Sequence, residues 1–445
     1  EKKRAFLKSV WLQACAFLYT KRVHPEQILW SYPGSMMTPD RDDLEGIFKD
    51  LCKITPFGHR PELANNLFTE AEAACSYAMS QEFGLNSNNM LLGIDVGGST
   101  SDILLIAKNP QNNNKSSLFR ESSVRLAAGV FFDAVKKSEQ YRQALVSFHD
   151  GHNTSVYVEN IKEIIDHPDK APYYLNSIFD QLKDQDDYDA FYASLSANAK
   201  FVFTIPAYVC GLLLFYSGML IGKTIKLNRL GYIDRIELMP FGKGGRLFHW
   251  LRHASSSRTT NEFYSSCVNA GLQLIIPDKV VSVKYHEEIE NNNKTEVARG
   301  LCENKELAIV DALNDCDICG ENGVRFNKDG SIVSIAPDDE ISGEHFSDDM
   351  SCFDFSGVQN FENFMNIFIK FVSKDTKLYQ RAEESLREEI SDLPTRIISF
   401  CTNDSEYKKA AKNNKNGDGF HYHQPIIIAE GACFLKSLIS KVFNQ

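Results

Sequence analysis

The segment of this sequence best suited to chemistry is a glycine turn flanked by aspartates. It reads Asp95-Val96-Gly97-Gly98-Ser99-Thr100-Ser101-Asp102. Small residues let backbone N–H groups approach phosphate oxygens and form an anion-binding nest, to which Thr100 adds a hydroxyl donor. Asp95 and Asp102 would repel a phosphate, so their natural role is to hold water or a hydrated magnesium ion beside it. The turn therefore predicts magnesium-assisted phosphate binding.

A simple hairpin is the alternative interpretation of this turn, with glycines that serve only the chain reversal. The apolar runs Met90–Val96 and Ile103–Ala107 on either side predict two buried strands. The two flanking aspartates and the threonine favour the phosphate interpretation over the plain hairpin.

The turn resembles the second phosphate motif of the superfamily that contains actin, the sugar kinases and the seventy-kilodalton heat-shock chaperones. Other segments follow in that superfamily's order. Ile28–Ser35 resembles its strand ending in a proline, and Thr69–Tyr77 resembles the helix that first connects the lobes. Arg125–Asp133 is similar to the chaperones' glycine-rich segment leading into the second lobe, and Thr295–Leu301 resembles the helix after the adenosine motif. The resemblance covers residues 5–305.

Two further segments receive roles through the resemblance. Leu238–Arg246 is similar to the adenosine motif, a strand running into glycines and a helix. The similarity implies that adenine and ribose approach the backbone at glycines and that Arg246 stacks on the base or contacts phosphate. The glycines concerned are Gly242, Gly244 and Gly245. A mere strand-to-helix turn is the alternative. The apolar helix at residues 207–225 is expected to be the second connecting helix.

The resemblance also implies the catalytic and metal-binding groups for ATP and Mg²⁺. Glu70 would position the attacking water, with Glu72 as the spare candidate, and Asp95 and Asp102 would hold magnesium with its water shell. Gly97, Gly98, Ser99 and Thr100 would bind the phosphates. The alternative for Glu70 is a first-turn carboxylate that only stabilises the helix dipole.

The sequence departs from the superfamily at its beginning. The first phosphate motif, an Asp-Gly-rich hairpin, has no counterpart before Ile28, and the chain opens on Glu1. We expect this hairpin to lie upstream in a longer parent protein, which predicts that this chain binds nucleotide weakly.

The fold expected from the resemblance is α/β, a two-lobed actin-like ATPase fold with ribonuclease H-like sheets flanked by helices. Residues 1–102 would be part of lobe I leading into the phosphate turn, and residues 103–304 would be lobe II. Residues 305–445 would be a C-terminal α/β extension packing on the lobes, with a helix at 361–372 and a strand–helix pair at 426–443.

Composition limits the class of protein. Of 445 residues, 43% are hydrophobic and the formal net charge is −11, with no basic stripe interleaved with aromatics, which argues against nucleic-acid binding. The eleven cysteines are scattered through apolar stretches, which is typical of reduced thiols in the cytoplasm. The uncharged run Phe201–Gly222 could cross a bilayer, but Pro206 and its polar residues and glycines favour a buried helix. We therefore expect no membrane span.

Half of a zinc site occurs at Cys316-Asp317-Ile318-Cys319. A structural zinc ion needs two more ligands, which His421, His423 or Cys352 could supply, but two ordinary cysteines are the stronger interpretation.

The functional expectation is an ATPase of chaperone or cytoskeletal kind, in which nucleotide binding and hydrolysis move the lobes and act on a protein partner through the C-terminal extension. The alternatives are a small-molecule kinase of the same fold and a non-enzymatic interaction scaffold with a degenerate nucleotide site.

Overall fold

The computed structural model of the protein describes part of the chain with defined element positions. These residues are 2–32, 36, 38–55, 59–64, 68–80, 85–112, 115–135, 138, 141, 143–144, 167, 195, 199–286, 296–303, 308–309, 317–328, 331–341, 353–355, 359–374, 382–403 and 424–443. Most of the charged, tyrosine-rich region 141–195 and the asparagine-rich segment 408–419 lie outside them.

The helices of the described residues are α1 Lys2–Thr20, α2 Thr38–Lys53, α3 Glu70–Ser80, α4 Gly129–Val135, α5 Thr204–Asn228, α6 Arg246–Ala254, α7 Ser257–Ile275, α8 Glu296–Glu303, α9 Gln359–Ser373, α10 Ala382–Ser391, α11 Leu393–Asn403 and α12 Ile426–Phe443. The strands are β1 Gln27–Ile28, β2 Ser31–Tyr32, β3 Glu62–Leu63, β4 Phe68–Thr69, β5 Asn89–Val96, β6 Ser101–Asn109, β7 Lys115–Val124, β8 Arg235–Phe241, β9 Ser282–Tyr285, β10 Ala308–Ile309, β11 Asp317–Ile318, β12 Val324–Lys328, β13 Ser331–Ile335, β14 Glu340–Ile341 and β15 Phe353–Phe355. The chain is therefore mixed α/β.

The chain divides into two compact units. Unit 1 comprises residues 1–83 and 294–307, and unit 2 comprises residues 84–293 and 308–445. This division differs from the sequence-based boundaries. The one expected after residue 102 falls between two paired strands, β5 and β6, and the expected extension 305–445 belongs largely to unit 2. Backbone pairing and a shared core hold these segments together, and neither interaction can be recognised from the amino-acid composition of the segments.

Unit 1 is built on helices and short parallel strand pairs, β1 with β3 and β2 with β4. Helix α3 packs on α8, and Gly300 allows this close approach because a Cβ there would collide with the carbonyl oxygen of Ala73. Arg299 donates to the Tyr77 hydroxyl at 3.3 Å. Helix α8 is thus the helix that packs on α3 within unit 1. The role of the apolar helix at 207–225 as the second connecting helix stays a prediction.

Unit 2 is organised around a mixed sheet with the strand order β10-β7-β6-β5-β8-β9. β5, β6 and β7 form an antiparallel meander, whereas β8 runs parallel to β5. Nearly every residue of β5 is buried, as expected for a strand covered on both faces. The predicted order of strand, glycine turn and strand is confirmed.

Helix α5 lies in the core of unit 2, packed against α6, α7, α9 and α12. It is long and apolar enough to span a membrane, but its most apolar window is wholly buried inside the protein. A helix that is apolar all round is typical of a protein core as well as of a membrane span, and here its apolar surface is covered by neighbouring helices.

The strand–helix pair expected at 426–443 is wrong, because these residues form the single helix α12. The run Ile426-Ile427-Ile428 has the β-branched composition of a strand. All three side chains are buried in the helix, so packing of α12 on α5 outweighs the local preference.

Candidate functional site

The turn between β5 and β6 is closed by a backbone hydrogen bond from Gly97 to the carbonyl of Thr100, at 2.9 Å. Its two glycine carbonyls are also occupied. Gly97 accepts from the Ala128 amide at 3.1 Å, and Gly98 accepts from the Gly129 amide at 3.0 Å. The turn is thus fixed to the segment that begins α4.

Three consecutive backbone amides of the turn are open donors. Within the described chain, the amides of Gly98, Ser99 and Thr100 make no hydrogen bond. Gly98 and Ser99 are exposed and Thr100 is half-buried. Consecutive amides left open on a glycine turn form a concave anion-binding surface. The donor geometry therefore fits the phosphate role predicted for this turn.

Sequence reasoning missed how the segment before α4 supports the turn. The Ser101 hydroxyl donates to the Leu126 carbonyl at 2.5 Å. A Cβ at residue 129 would collide with the Gly98 carbonyl oxygen, so only glycine allows this approach. The similarity of residues 125–133 to the chaperone segment pointed to this region, but its single glycine was a weak signal.

The two flanking aspartates lie directly opposite each other in the β5–β6 register. Directly paired residues of antiparallel strands project to the same face of the sheet, so both carboxyl groups lie on one face. Asp95 is half-buried and Asp102 is buried. Burial raises the pKa of the Asp102 carboxyl, and its Oδ1 has no hydrogen-bond partner in the described chain. Such an oxygen can accept a bond from a metal-bound water.

The glycine-rich segment after β8 lies next to the same turn because β8 is the parallel neighbour of β5, with Phe241 opposite Asp95. Gly242 has a positive φ of 66°, which favours glycine. A Cβ there would collide with Oδ1 of Asp95, and a Cβ at Gly244 would collide with the Val96 carbonyl oxygen. The two glycine segments predicted to bind nucleotide therefore meet at the carboxyl ends of adjacent strands.

The other two predicted residues of this segment, Gly245 and Arg246, lie where β8 leads into α6. A Cβ at Gly245 would lie 3.2 Å from Pro240, which is a tight but smaller conflict. Arg246 is only 7% exposed at the start of α6. Its stacking on a base stays a prediction, and burial restricts the guanidinium to a limited range of positions.

The candidate glutamates lie at the start of α3 in unit 1. Thr69 and Glu72 form a capping box: the Thr69 amide donates to Glu72 Oε2 at 2.7 Å, and the Glu72 amide donates to Thr69 Oγ1 at 3.0 Å. This structural role explains Glu72 without catalysis. Glu70 is half-buried in the first turn, and its role in positioning water stays a prediction.

The half zinc site lies only partly within the described residues. Cys316, Cys352, His421 and His423 are outside them. Cys319 is buried, its thiol donates to the Glu321 carbonyl at 3.5 Å, and burial raises the pKa of that thiol far above its usual range. Because zinc binds the thiolate, a buried thiol with a raised pKa is a poor zinc ligand. The part of the chain with described positions contains no cluster of three metal-binding side chains.

Comparison of the chain with models of known protein families gives no match. A search against curated proteins likewise finds no similar sequence.

Proposed function

We propose that unit 2 binds ATP with Mg²⁺ at the Asp95–Asp102 turn, as part of an ATPase module of the actin-like or chaperone-like kind. The two-lobed actin-like fold is part of this proposal. One observation carries it: three segments far apart in sequence, at residues 97–100, 128–129 and 242–245, meet at the ends of β5 and β8. Ligands of α/β sheets typically bind at the carboxyl ends of strands.

The chain's own groups suit each part of such a ligand. The open amides of Gly98, Ser99 and Thr100 would donate to phosphate oxygens, while the backbone around Gly242 and Gly244 would face the nucleoside. Asp95 and Asp102 would hold magnesium, since they project from one sheet face and one buried Asp102 oxygen has no hydrogen-bond partner among the described residues. Magnesium, when bound, supplies positive charge that offsets the phosphates.

The fixed turn also provides a route for a nucleotide-dependent change. Helix α4 begins at the segment that bonds the turn, and α6 begins directly after the second glycine segment. The two helices are in contact through Phe131 and Trp250, whose ring centroids are 5.4 Å apart. A shift of the turn on nucleotide binding or hydrolysis would move both helices, and we propose that a protein partner senses this movement.

We expect Mg²⁺-ATP to raise the thermal unfolding temperature of unit 2. A ligand that binds only the folded state adds about 2.7 kcal/mol at a hundredfold excess over its dissociation constant. The measurement is Trp250 fluorescence during heating, in a Trp11→Phe, Trp30→Phe background because the chain has only three tryptophans. Asp95→Asn should abolish the magnesium-dependent part of the rise, because it removes a metal-binding charge.

The matched control is Asp278→Asn, which removes an exposed carboxylate of unit 2 away from the turn and should keep the full response. An equal rise in the Asp95 variant would contradict the site. No rise at millimolar ATP would contradict nucleotide binding and favour the interaction scaffold. Stabilisation without phosphate release in a hydrolysis assay would favour the small-molecule kinase.

A further inference from the structure

A groove of about 770 Å³ opens on the surface of unit 2 between α7 and α9. None of the nucleotide-site residues lines it. Its floor is apolar: the rings of Phe263 and Phe371 stack with centroids 4.1 Å apart and an interplanar angle of 14°, and Ile367 lies beside them. Volumes of this size are typical of ligand-binding sites.

The rim of the groove is positively charged. Arg258, Lys370 and Lys374 line it together with one carboxylate, Glu262. This excess of two positive charges is unusual in a chain whose formal net charge is −11. Because a concentrated patch of one sign selects partners of the opposite sign, the groove favours an acidic ligand.

The single carboxylate leaves cationic groups available. Glu262 accepts from Arg258 Nε at 3.1 Å, and its other oxygen lies 3.8 Å from Lys374 Nζ. About half of the Glu262 side chain is exposed, so these ion pairs are weak. Lys370 has no ion pair within the described chain. A ligand carboxylate could therefore replace Glu262 in its ion pairs, or pair with Lys370, with little loss of existing interaction energy.

We propose that this groove binds an acidic, amphipathic segment of a partner protein. An apolar side chain of that segment would lie on Ile367 and Phe371, and its carboxylates would pair with Lys370 and Lys374. The groove runs between two helices, and residues 258–266 of α7 along its edge span about 12 Å. Two helical turns of a partner would match this length.

The test uses fluorescence anisotropy of a fluorescein-labelled peptide of about 12 residues, three helical turns, with glutamates flanking a leucine stripe. We expect the whole chain to bind it at low salt. Lys370→Glu with Lys374→Glu should weaken binding by at least about tenfold, whereas Glu262→Gln should strengthen it by removing the competing carboxylate. Circular dichroism checks that each variant is folded.

Two controls make the experiment decisive. A peptide with glutamine in place of every glutamate should bind at least about tenfold more weakly, because it lacks the charges that the rim would pair. Ile367→Ser should weaken binding with the rim charges intact. The proposal is overturned if the acidic peptide fails to bind, if the two peptides bind equally, if the charge-reversed variant binds as well as the native chain, or if single-stranded oligothymidylate binds equally at the groove.

Discussion

Replacing Gly271 by alanine is expected to destabilise unit 2 by about 3 kcal/mol. Gly271 lies on α7 where this helix crosses α5, and a Cβ there would collide with the carbonyl oxygen of Phe215 and press on the Met219 amide. Alanine gains roughly 1 kcal/mol over glycine in helix propensity. The gain is outweighed because the colliding atoms belong to the backbone of a buried helix, so relief requires the two helices to separate.

The measurement is urea unfolding followed by Trp250 fluorescence in the background without Trp11 and Trp30. Gly231→Ala is the matched control, because a Cβ at that exposed glycine meets no atom within 4 Å. We expect the control to change the free energy of unfolding by less than about 0.5 kcal/mol. Equal stability of the two variants would contradict the close crossing of α5 and α7.

Local patterns in the sequence were sufficient to predict the elements that carry the site. The apolar runs on either side of residues 97–100 predicted β5 and β6, and the long apolar run predicted a helix at 207–225, close to the observed bounds of α5. These features depend on neighbours within a few residues. The same holds for the turn, whose glycines and aspartates are adjacent in sequence.

Features that depend on tertiary contacts were not predictable in this way. The triple isoleucine at 426–428 was predicted to be a strand because β-branched residues favour strands locally, whereas packing in the core holds these residues in a helix. The packing of α8 on α3 was not predicted, because the close approach at Gly300 is recognisable only when Ala73 lies opposite it. The support of the phosphate turn by Ser101 and Gly129 likewise depends on contacts across strands.

A buried pair of carboxyl groups makes the stability of unit 2 depend on pH. Glu321 caps α9 from outside the helix: its Oε1 accepts from the Asn360 amide and its Oε2 from the Phe361 amide, both at 2.8 Å. Glu430 on α12 is fully buried, and its carboxyl group lies beside that of Glu321. Burial, followed by the negative charge of Glu321, raises the pKa of Glu430 well above its usual range.

The sign of the pH effect follows from the raised folded-state pKa. The unfolded chain releases the Glu430 proton near pH 4.3, while the folded chain keeps it. Stability from this group is therefore fully present below that pH and is lost as pH rises toward the folded-state pKa, at about 1.4 kcal/mol per pH unit. The pKa values of Tyr208, Cys433 and Cys319, which also interact with this pair of carboxyl groups, are raised by burial, so these groups are neutral over that range and do not offset the loss.

Glu430→Gln should therefore stabilise unit 2 increasingly as pH rises from 5 to 8, because glutamine keeps the size of the side chain and has no proton to lose. The measurement is the free energy of urea unfolding of both proteins at each pH, and the difference between them cancels all other titrations. Glu388→Gln, which removes an exposed carboxylate on α10, should leave the slope unchanged. Glu321→Gln should instead destabilise the chain at every pH, since its amide retains only one acceptor for the α9 amides. A constant difference between Glu430→Gln and the native chain would mean that Glu430 ionises in the folded state as readily as in water, so α12 would have to expose it.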